Sequence, residues 1–456
     1  SRGLGDVYKR QRTFRSLSNR SETLGEALTI LFGISDPVKS RRIMESVPVG
    51  PYGIACSEPA IPNIPPYHND GIWPFVVAYW TWAAKKNGHS PQVEHGIASI
   101  YRAAGLFLTN KENMVARTGD HMGTQINSDR QLWSVAGNLS LIFRVFAGME
   151  FQPGGIIFRP FIPEGYGNTL IIENFSYRNA ILNIKIAGTG NTIDSFRLNG
   201  RKLDKPFIPQ SLTGKHTIDI HLTPSESIPV NMNWDGGIVS PETPDLSLAG
   251  TTLKATPVAG AEKYKLYRNA TLIEEKTEPV FTNINFNEFS EYQVQAVNRD
   301  GLHSFLSEPV VIIPGNKVLI AQAQGFGIDN KYSGYTGLGY VPLSQTENRV
   351  VSFHVTLPES GYYSIDFRYA NGNGPINTDN KCAIRTLSVN GDVKQAVVMP
   401  QRGFERWDDW GFTNSQTVCL KKEKNTLELQ FMPWNENMNI HENRALLDYM
   451  RIIIIP

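Results

Sequence analysis

The stretch LWSVAGNLSLIFRVFAGMEFQPGGIIF, residues 132–158, contains the point at which the hydrophobic pattern of the chain changes. Before Gly148 the apolar residues recur at the spacing of a helix, and after Met149 they alternate with polar residues as in strands. Upstream of this stretch the apolar residues keep the spacing of helices. Downstream of it, segments rich in Gly, Asn and Pro separate short alternating runs. The pattern predicts a multidomain α + β chain with a helical first third followed by three β-sandwich domains.

Size and charge limit the class of protein. A length of 456 residues suggests about three domains at roughly 150 residues each. Lysine and arginine number 44 against 43 acidic residues, so the net charge is +1 and a nucleic-acid partner is not expected. The longest apolar run, near Ile452, falls well short of the roughly 18 residues of a membrane span.

Five helices are predicted before Met149, and capping residues support several of them. Asp36 is a good N-cap for the second helix, Ser128 or Asp129 for the last, and Gly148 ends the last one. The last helix should turn one apolar face to the core, formed by Leu132, Val135, Leu139, Ile142, Phe143 and Phe146. The predicted helices are residues 24–31, 37–44, 74–86, 91–108 and 129–147.

The remaining domain boundaries follow from the strand pattern. Residues 150–235 predict an antiparallel sandwich attached to the helical part, with a hairpin turn at Asn199-Gly200, where both residues tolerate positive φ. Residues 240–314 form a smaller sandwich that resembles a fibronectin type III module and is expected to act as a spacer. At the other end, residues 1–12 contain SRGLGDVYKRQ, which looks like translated sequencing-adaptor sequence and is expected to be non-native.

Four runs in residues 316–456 carry a resemblance to carbohydrate-binding modules of families 6 and 35. They are YSGYTGLGYV (332–341), RYANGNG (368–374), WDDWG (407–411) and LDYMRI (447–452). Sugar recognition needs flat apolar faces for stacking and amides that hydrogen-bond to hydroxyls. The alternative is that one or both tryptophans fill the sandwich core. The candidate sugar-binding residues are Tyr332, Tyr335, Asn371, Trp407, Trp410 and Asn443.

The same resemblance implies a structural calcium ion in this module. Its ligands would come from Gln322 and Gln324 in the opening strand and Asp448 in the last strand. Calcium prefers charged oxygen ligands, and two of these three residues are neutral amides. The resemblance therefore predicts calcium at Asp448, while two of the three proposed ligands lack the charge that calcium prefers.

Three loops in the helical third resemble another family. They are YHNDGIWPF (67–75), KENMVARTGDHMG (111–123) and INSDRQLWSVAG (126–137), and they are similar to the C-terminal half of six-hairpin (α/α)6 glycosidases, closest to glycoside hydrolase family 63. The resemblance implies that residues 13–149 are the C-terminal part of such a toroid. It also implies a sugar pocket lined by Tyr67, His68, Asn69, Asp70, Trp73 and Trp133.

Glu112 is the candidate catalytic residue. It precedes a T-G-x-x-x-G turn at residues 118–123, the position of the general base in the resembled family. The alternative is structural, because Thr109-x-x-Glu112 has the spacing of a helix capping box. Inverting hydrolysis also needs a general acid. In that family the acid is an aspartate from an earlier hairpin, so this chain alone is expected to be an inactive fragment.

These observations predict an inverting, exo-acting α-glucosidase-like enzyme that acts on oligosaccharide or polysaccharide. No cofactor is required for that chemistry, and the protein is expected to be periplasmic or extracellular. Two alternatives remain open. One is a non-catalytic carbohydrate-binding or adhesive protein. The other is a polysaccharide lyase, which would abstract a proton with tyrosine or histidine beside a uronate-binding arginine or lysine; an arginine-lined pocket around His68 and His121, with Glu112 turned away, would favour it.

Overall fold

A computed structural model describes residues 20–224, 231–234, 238–282, 284–314, 318–322, 327–374, 381–436 and 443–454. The chain forms two compact units that divide after Ser240. Within the described residues, strands account for 42% and helices for 17%, and no large helical toroid is evident there. The predicted toroid is therefore wrong, and the fold is mostly β. Residues 1–12 and Gln324 lie outside the described ranges.

All five predicted helices are present in the first unit. The Asp36 side chain accepts a hydrogen bond from the Lys39 amide and caps the second helix as expected. The helices are α1 (Thr23–Leu31), α2 (Pro37–Ser46), α3 (Pro74–Lys86), α4 (Ser90–Phe107) and α5 (Leu132–Ser140). Four two-residue strands accompany them, namely β1 (Ser21–Glu22), β2 (Ser57–Glu58), β3 (Gly71–Ile72) and β4 (Met114–Val115).

The arrangement of these helices explains why the toroid prediction failed. Helix α3 packs against α1, α4 and α5, and their shared core includes Val77, Trp80 and Ile97. Long loops at residues 47–73 and 108–131 take the place of tight helical hairpins. A helical period in the sequence identifies a helix but not its neighbours. Among the described helices, none combines the length and apolar character needed to cross a membrane.

Helix α5 differs from its predicted form. It begins at Leu132 with Gln131 as N-cap, so the predicted cap at Ser128 or Asp129 is wrong. A π-helical turn, Leu141–Phe146, continues it and rotates the later side chains relative to the earlier ones. Within α5, Leu132 is 80% exposed, whereas Gly137 is buried and a Cβ atom there would lie 3.1 Å from the Pro74 carbonyl oxygen of α3. Small residues line the contact between α5 and α3, so a pattern of large apolar residues does not predict it.

A sandwich of two sheets completes the first unit. The sheets have the strand orders β10-β9-β12-β8-β7 and β11-β6-β5, and Phe158, Ile184 and Phe196 lie in the core between them. The hairpin at Asn199-Gly200 is confirmed, with φ of 50° and 79°. Strand β12 runs parallel to β8, so the prediction of a purely antiparallel sandwich is wrong at this pair. The strands are β5 (Met149–Gln152), β6 (Gly155–Phe158), β7 (Thr169–Tyr177), β8 (Ala180–Ala187), β9 (Thr192–Leu198), β10 (Arg201–Lys202), β11 (Phe207–Pro209) and β12 (Gly214–Thr223).

The second unit begins with a small sandwich of three and four strands, ordered β13-β14-β17 and β16-β15-β18-β19. Leu266, Phe281 and Tyr292 are buried between its sheets. Its kinship with fibronectin type III modules stays a prediction. The strands are β13 (Leu246–Ala249), β14 (Thr252–Ala255), β15 (Ala261–Arg268), β16 (Thr271–Lys276), β17 (Val280–Phe281), β18 (Ser290–Asn298) and β19 (Val310–Ile312).

The last sandwich also has two sheets. One contains β20-β29-β23-β26, with β21 paired to β29 and β27 paired to β23, and the other is β22-β28-β24-β25. Phe353, Phe367 and Leu429 fill the space between them. The strands are β20 (Val318–Gln322), β21 (Val341–Leu343), β22 (Val350–Leu357), β23 (Gly361–Ala370), β24 (Ala383–Val389), β25 (Asp392–Met399), β26 (Trp410–Phe412), β27 (Gln416–Leu420), β28 (Glu423–Gln430) and β29 (Ala445–Ile454).

Candidate functional site

The Glu112 carboxylate lies in the first unit, where two loops meet. Strands β3 and β4 pair antiparallel and bring the 47–73 loop beside the 108–131 loop. The Tyr67 hydroxyl donates a hydrogen bond to Glu112 Oε1 at 2.9 Å, and the Ser128 hydroxyl donates to Oε2 at 2.6 Å. Glu112 itself is 5% exposed. Both carboxylate oxygens are thus held by hydroxyl donors from other parts of the chain.

The capping-box alternative for Glu112 is wrong. Helix α4 ends at Phe107 and α5 begins at Leu132, so Thr109 does not start a helix. The backbone amide of Glu112 donates to the Ser128 carbonyl at 3.0 Å, which fixes the loop without a cap. Ser128 is therefore a partner of Glu112, a role that the sequence analysis missed because it considered Ser128 only as a helix cap.

Aromatic rings surround the carboxylate's partner Tyr67. Its ring lies 4.7 Å from His68 and 5.0 Å from Trp73, and His68 stacks on Trp73 with an interplanar angle of 19°. Trp133 lies 5.5 Å from Trp73 and is partly open to solvent. Burial, together with the hydrogen bond and negative charge of Glu112, raises the pKa of Tyr67 to about 12. Tyr67 therefore stays protonated and keeps donating to the carboxylate at neutral pH.

Asn69 and Asp70 have different surroundings. The Asn69 amide group bonds to the backbone of Ile61 and Ile64, so this side chain shapes its own loop. Asp70 has a φ of 50° and pairs with Arg117, with 3.1 Å between Oδ2 and Nε. The structure thus brings Tyr67, His68, Trp73 and Trp133 together beside Glu112, while Asn69 and Asp70 organise the loop beneath them.

A second candidate site is the aromatic cluster of the last sandwich, defined here as Tyr332, Tyr335, Tyr340, Trp407 and Trp410. Tyr340 is fully buried, and the rings of Tyr335 and Trp410 lie 5.7 and 5.6 Å from it. Trp407 stacks against Tyr332 at 6.0 Å and is only 9% exposed. Tyr332, Tyr335 and Trp410 remain partly open to solvent. Trp407 therefore supports the cluster, and the other three candidates form its surface.

The two asparagines proposed for sugar binding are buried. The Asn371 amide donates to the Met399 and Lys381 carbonyls, and its oxygen accepts from Asn373. Asn443 is equally enclosed and bonds to Ile384, Arg385 and Asn435. Because both side chains are buried and bond to neighbouring loops, only the aromatic residues among the candidates are open to contact a glycan.

Two exposed residues near the cluster were not predicted from the sequence. Phe404 is 66% exposed, and the Arg444 guanidinium lies 4.8 Å from the centre of a Trp407 ring. Phe404 lies between Gly403 and Glu405, and nothing in the sequence around it distinguishes an exposed phenylalanine from a core one.

The proposed calcium ligands are partly gathered around Asp448. The Thr336 amide and hydroxyl donate to the Asp448 carboxylate, and the Gln322 amide nitrogen lies 3.5 Å from the Thr336 hydroxyl. Arg368 also bonds directly to Asp448. Within the residues described, no group of three or more His, Cys, Asp or Glu side chains could hold a metal ion.

The chain is related in sequence to carbohydrate-active enzymes over about a quarter of its length. It is 32% identical over 111 residues to a cycloisomaltooligosaccharide glucanotransferase of Niallia circulans, a match that covers 24% of this chain and 11% of that protein. A second glucanotransferase of the same name and organism is 31% identical over 107 residues, 10% of its length. The aligned part is thus about a tenth of either relative. No protein-family profile matches the chain.

Solved structures that are similar to this chain include carbohydrate-binding modules. The family 35 module of Cellvibrio japonicus Abf62 is 22% identical, with 30% of this chain and 94% of that chain covered and a TM-score of 0.23. A cycloisomaltooligosaccharide glucanotransferase of Paenibacillus sp., complexed with cycloisomaltoheptaose, is 26% identical and covers 29% of this chain and 18% of its own, also at a TM-score of 0.23.

Proposed function

We propose that this protein binds carbohydrate through the aromatic cluster of its last sandwich. The observation that carries the proposal is the set of partly exposed rings of Tyr332, Tyr335 and Trp410, held around the buried Tyr340. Flat apolar faces with nearby polar groups are what a sugar-binding surface needs. This function was the alternative to hydrolysis in the sequence analysis, and it now has the stronger support.

Contacts within the module hold two of the rings in place. The Trp410 indole donates a hydrogen bond to the Ser333 carbonyl at 2.8 Å, and Tyr332 lies against Trp407. A surface that is already ordered loses little conformational freedom on binding, which favours affinity. Arg444, which is exposed beside Trp407, supplies donors for sugar hydroxyls at the edge of the cluster.

The relatives suggest the class of glycan. Both curated relatives are named for cycloisomaltooligosaccharide, so we propose an isomaltooligosaccharide-type glucan as the ligand. An oligosaccharide or polysaccharide partner of this kind fits a periplasmic or extracellular protein. Binding by stacking and hydrogen bonding requires no cofactor.

Trp410→Ala is expected to weaken binding of a cycloisomaltooligosaccharide at least about tenfold, because it removes the largest open ring of the cluster. Isothermal titration calorimetry on the purified chain measures the loss, and Tyr335→Ala serves as a second variant in case Trp410→Ala unfolds. Trp434→Ala is the matched control, since Trp434 is 62% exposed and bonds to Thr386 instead of the cluster. Equal affinity in the wild type and both cluster variants would refute the proposal.

Glycoside hydrolysis with Glu112 as general base is the second candidate function. It is favoured by one observation, the buried carboxylate held by Tyr67 and Ser128 beside the aromatic rings of Trp73 and Trp133. In this scheme Glu112 takes a proton from a water molecule as the water oxygen attacks the anomeric carbon. The bond from that carbon to the leaving group breaks on the opposite face, which gives inversion, and a glycosidic leaving oxygen would need a proton from the general acid expected outside this chain. The structure disfavours a lyase, because Glu112 bonds to Tyr67 instead of turning away, and His121 packs edge-on against Phe107.

A substrate that needs no general acid tests this candidate separately. In α-glucosyl fluoride the fluoride ion leaves without protonation, so Glu112 alone should support its hydrolysis to β-glucose, whereas an aryl α-glucoside should not react. Glu112→Gln is expected to lower the rate about 100-fold. Glu94→Gln, which changes an exposed glutamate of α4, should have no effect. Fluoride release that is the same in wild type and Glu112→Gln would exclude the role of Glu112.

A further inference from the structure

The Asp448 carboxylate is the most confined acidic group near the aromatic cluster. Asp448 lies in β29 and is 2% exposed. The Thr336 amide and hydroxyl bond to its Oδ1 at 3.0 and 2.9 Å, so the carboxylate holds the 332–341 loop. An ionised carboxylate in this position requires a balancing positive charge.

Arg368 of the neighbouring strand β23 supplies that charge. Its Nη1 donates to Asp448 Oδ2 and also to the Gly334 carbonyl, the latter at 3.0 Å. The guanidinium lies 5.4 Å from the centre of a Trp410 ring and 5.9 Å from that of Tyr449. One cation therefore connects the last strand, the 332–341 loop and a ring of the proposed glycan surface.

The resemblance implied a structural calcium ion at Asp448, and the donor set found there does not suit calcium. A calcium ion takes six to eight oxygen ligands, several of them charged. Among the described residues at this place, Asp448 provides the charged oxygens and Gln322 a neutral amide, while Arg368 already neutralises the carboxylate. A divalent ion would have to displace the guanidinium or be repelled by it.

We propose that the Arg368 guanidinium takes the place of the calcium ion in this module and fixes the 332–341 loop without any metal. The resemblance found in the sequence implied a calcium ion at Asp448. In this proposal the positive charge beside Asp448 comes from Arg368 instead. This inference concerns how the loop is held, and its test does not depend on glycan binding.

Thermal unfolding of the full chain tests the proposal directly. The melting temperature should stay within about 1 °C of its value in buffer, both with EDTA and with about 10 mM CaCl2. That calcium concentration is well above the dissociation constants of extracellular calcium-binding modules. A rise of several degrees with calcium, or a fall of several degrees with EDTA, would overturn the proposal.

Variants of Arg368 locate the effect. Arg368→Gln should lower the melting temperature by several degrees, because Asp448 is left buried without its partner, whereas Arg406→Gln, which removes an exposed cation, should not. The double variant Arg368→Gln, Gln322→Glu should gain stabilisation by calcium, since it supplies a second carboxylate and removes the competing cation. An unchanged melting temperature in Arg368→Gln, or no calcium response in the double variant, would count against the proposal.

The two proposals can fail independently. If glycan binding is absent while calcium has no effect and Arg368→Gln melts early, the proposed function fails and the role of Arg368 stands. If glycan is bound and EDTA lowers both the affinity and the melting temperature, the role of Arg368 fails and the proposed function stands.

Discussion

Arg451→Met is expected to lower the stability of the last sandwich by about 4 kcal/mol, because it removes the guanidinium that bonds to both oxygens of the buried Asp366 carboxylate. The Arg451 Nε and Nη2 atoms donate to the two oxygens of Asp366 at 2.9 and 2.7 Å. Asp366 is 1% exposed and Arg451 is 7% exposed. The guanidinium also stacks on Phe412 at 3.8 Å. Both residues lie in the central strands β23 and β29, so the loss should affect the whole sheet.

Hydrogen exchange followed by mass spectrometry measures this effect within the one module, which avoids treating a chain of two units as a single two-state system. Amides of residues 361–370 and 445–454 should exchange faster in Arg451→Met. Lys394→Met is the matched control, since Lys394 pairs with the exposed Asp392 and its loss should change little. The double variant Asp366→Leu, Arg451→Met should regain most of the protection. Full protection in Arg451→Met would show that the pair contributes nothing.

Local structure was largely predictable from the sequence. The cap Asp36 and the turn Asn199-Gly200 were identified correctly because each depends on the conformational preferences of a few adjacent residues. The helical and alternating periods located the helices and several strands for the same reason. In these cases the information needed lies within a few residues of the position concerned.

Arrangements that depend on distant residues were predicted less well. The toroid was wrong because periodicity does not specify which helices become neighbours. The apolar face predicted for the last helix was wrong at Leu132 and Leu139, which are exposed, whereas Phe143 and Phe146 do pack against the cores. In α5 the buried residues are the small Ser134 and Gly137. The parallel pairing of β12 with β8 is likewise set by the return path of the chain, which the strand pattern does not encode.

The candidate sites show the same division. Residue types were identified from the sequence, and the structure brings Tyr67 and Glu112 into contact across 45 residues. Exposure could not be inferred, since Asn371 and Asn443 are buried whereas Phe404 is open. The partner of Asp448 was also missed, because Arg368 lies 80 residues away on a neighbouring strand.

Gly71→Ala is expected to destabilise the first unit by about 3 kcal/mol and to separate Tyr67 from Glu112. A Cβ atom at Gly71 would lie 1.7 Å from the Tyr67 carbonyl oxygen, far inside contact distance. That oxygen accepts the Trp73 indole hydrogen bond at 2.8 Å, so the backbone of Tyr67 must move and its contact with Trp73 must break. The hydroxyl of Tyr67 then loses its position beside the carboxylate, and the tyrosine pKa should fall towards its ordinary value of 10.0.

Gly105→Ala provides a control with the opposite sign. Gly105 lies in α4, is exposed, and has open space where a Cβ atom would be placed, so alanine should stabilise the helix by about 0.5 kcal/mol. Hydrogen exchange in residues 71–115 reports stability in both variants. The difference between ultraviolet absorbance titrations with and without Tyr67→Phe isolates the pKa of Tyr67 from those of the other tyrosines. If Gly71→Ala and Gly105→Ala gave the same result in both measurements, the loop would have space for a Cβ atom at Gly71. The close approach of Gly71 to the Tyr67 carbonyl, and with it the geometry that holds Glu112, would then be wrong.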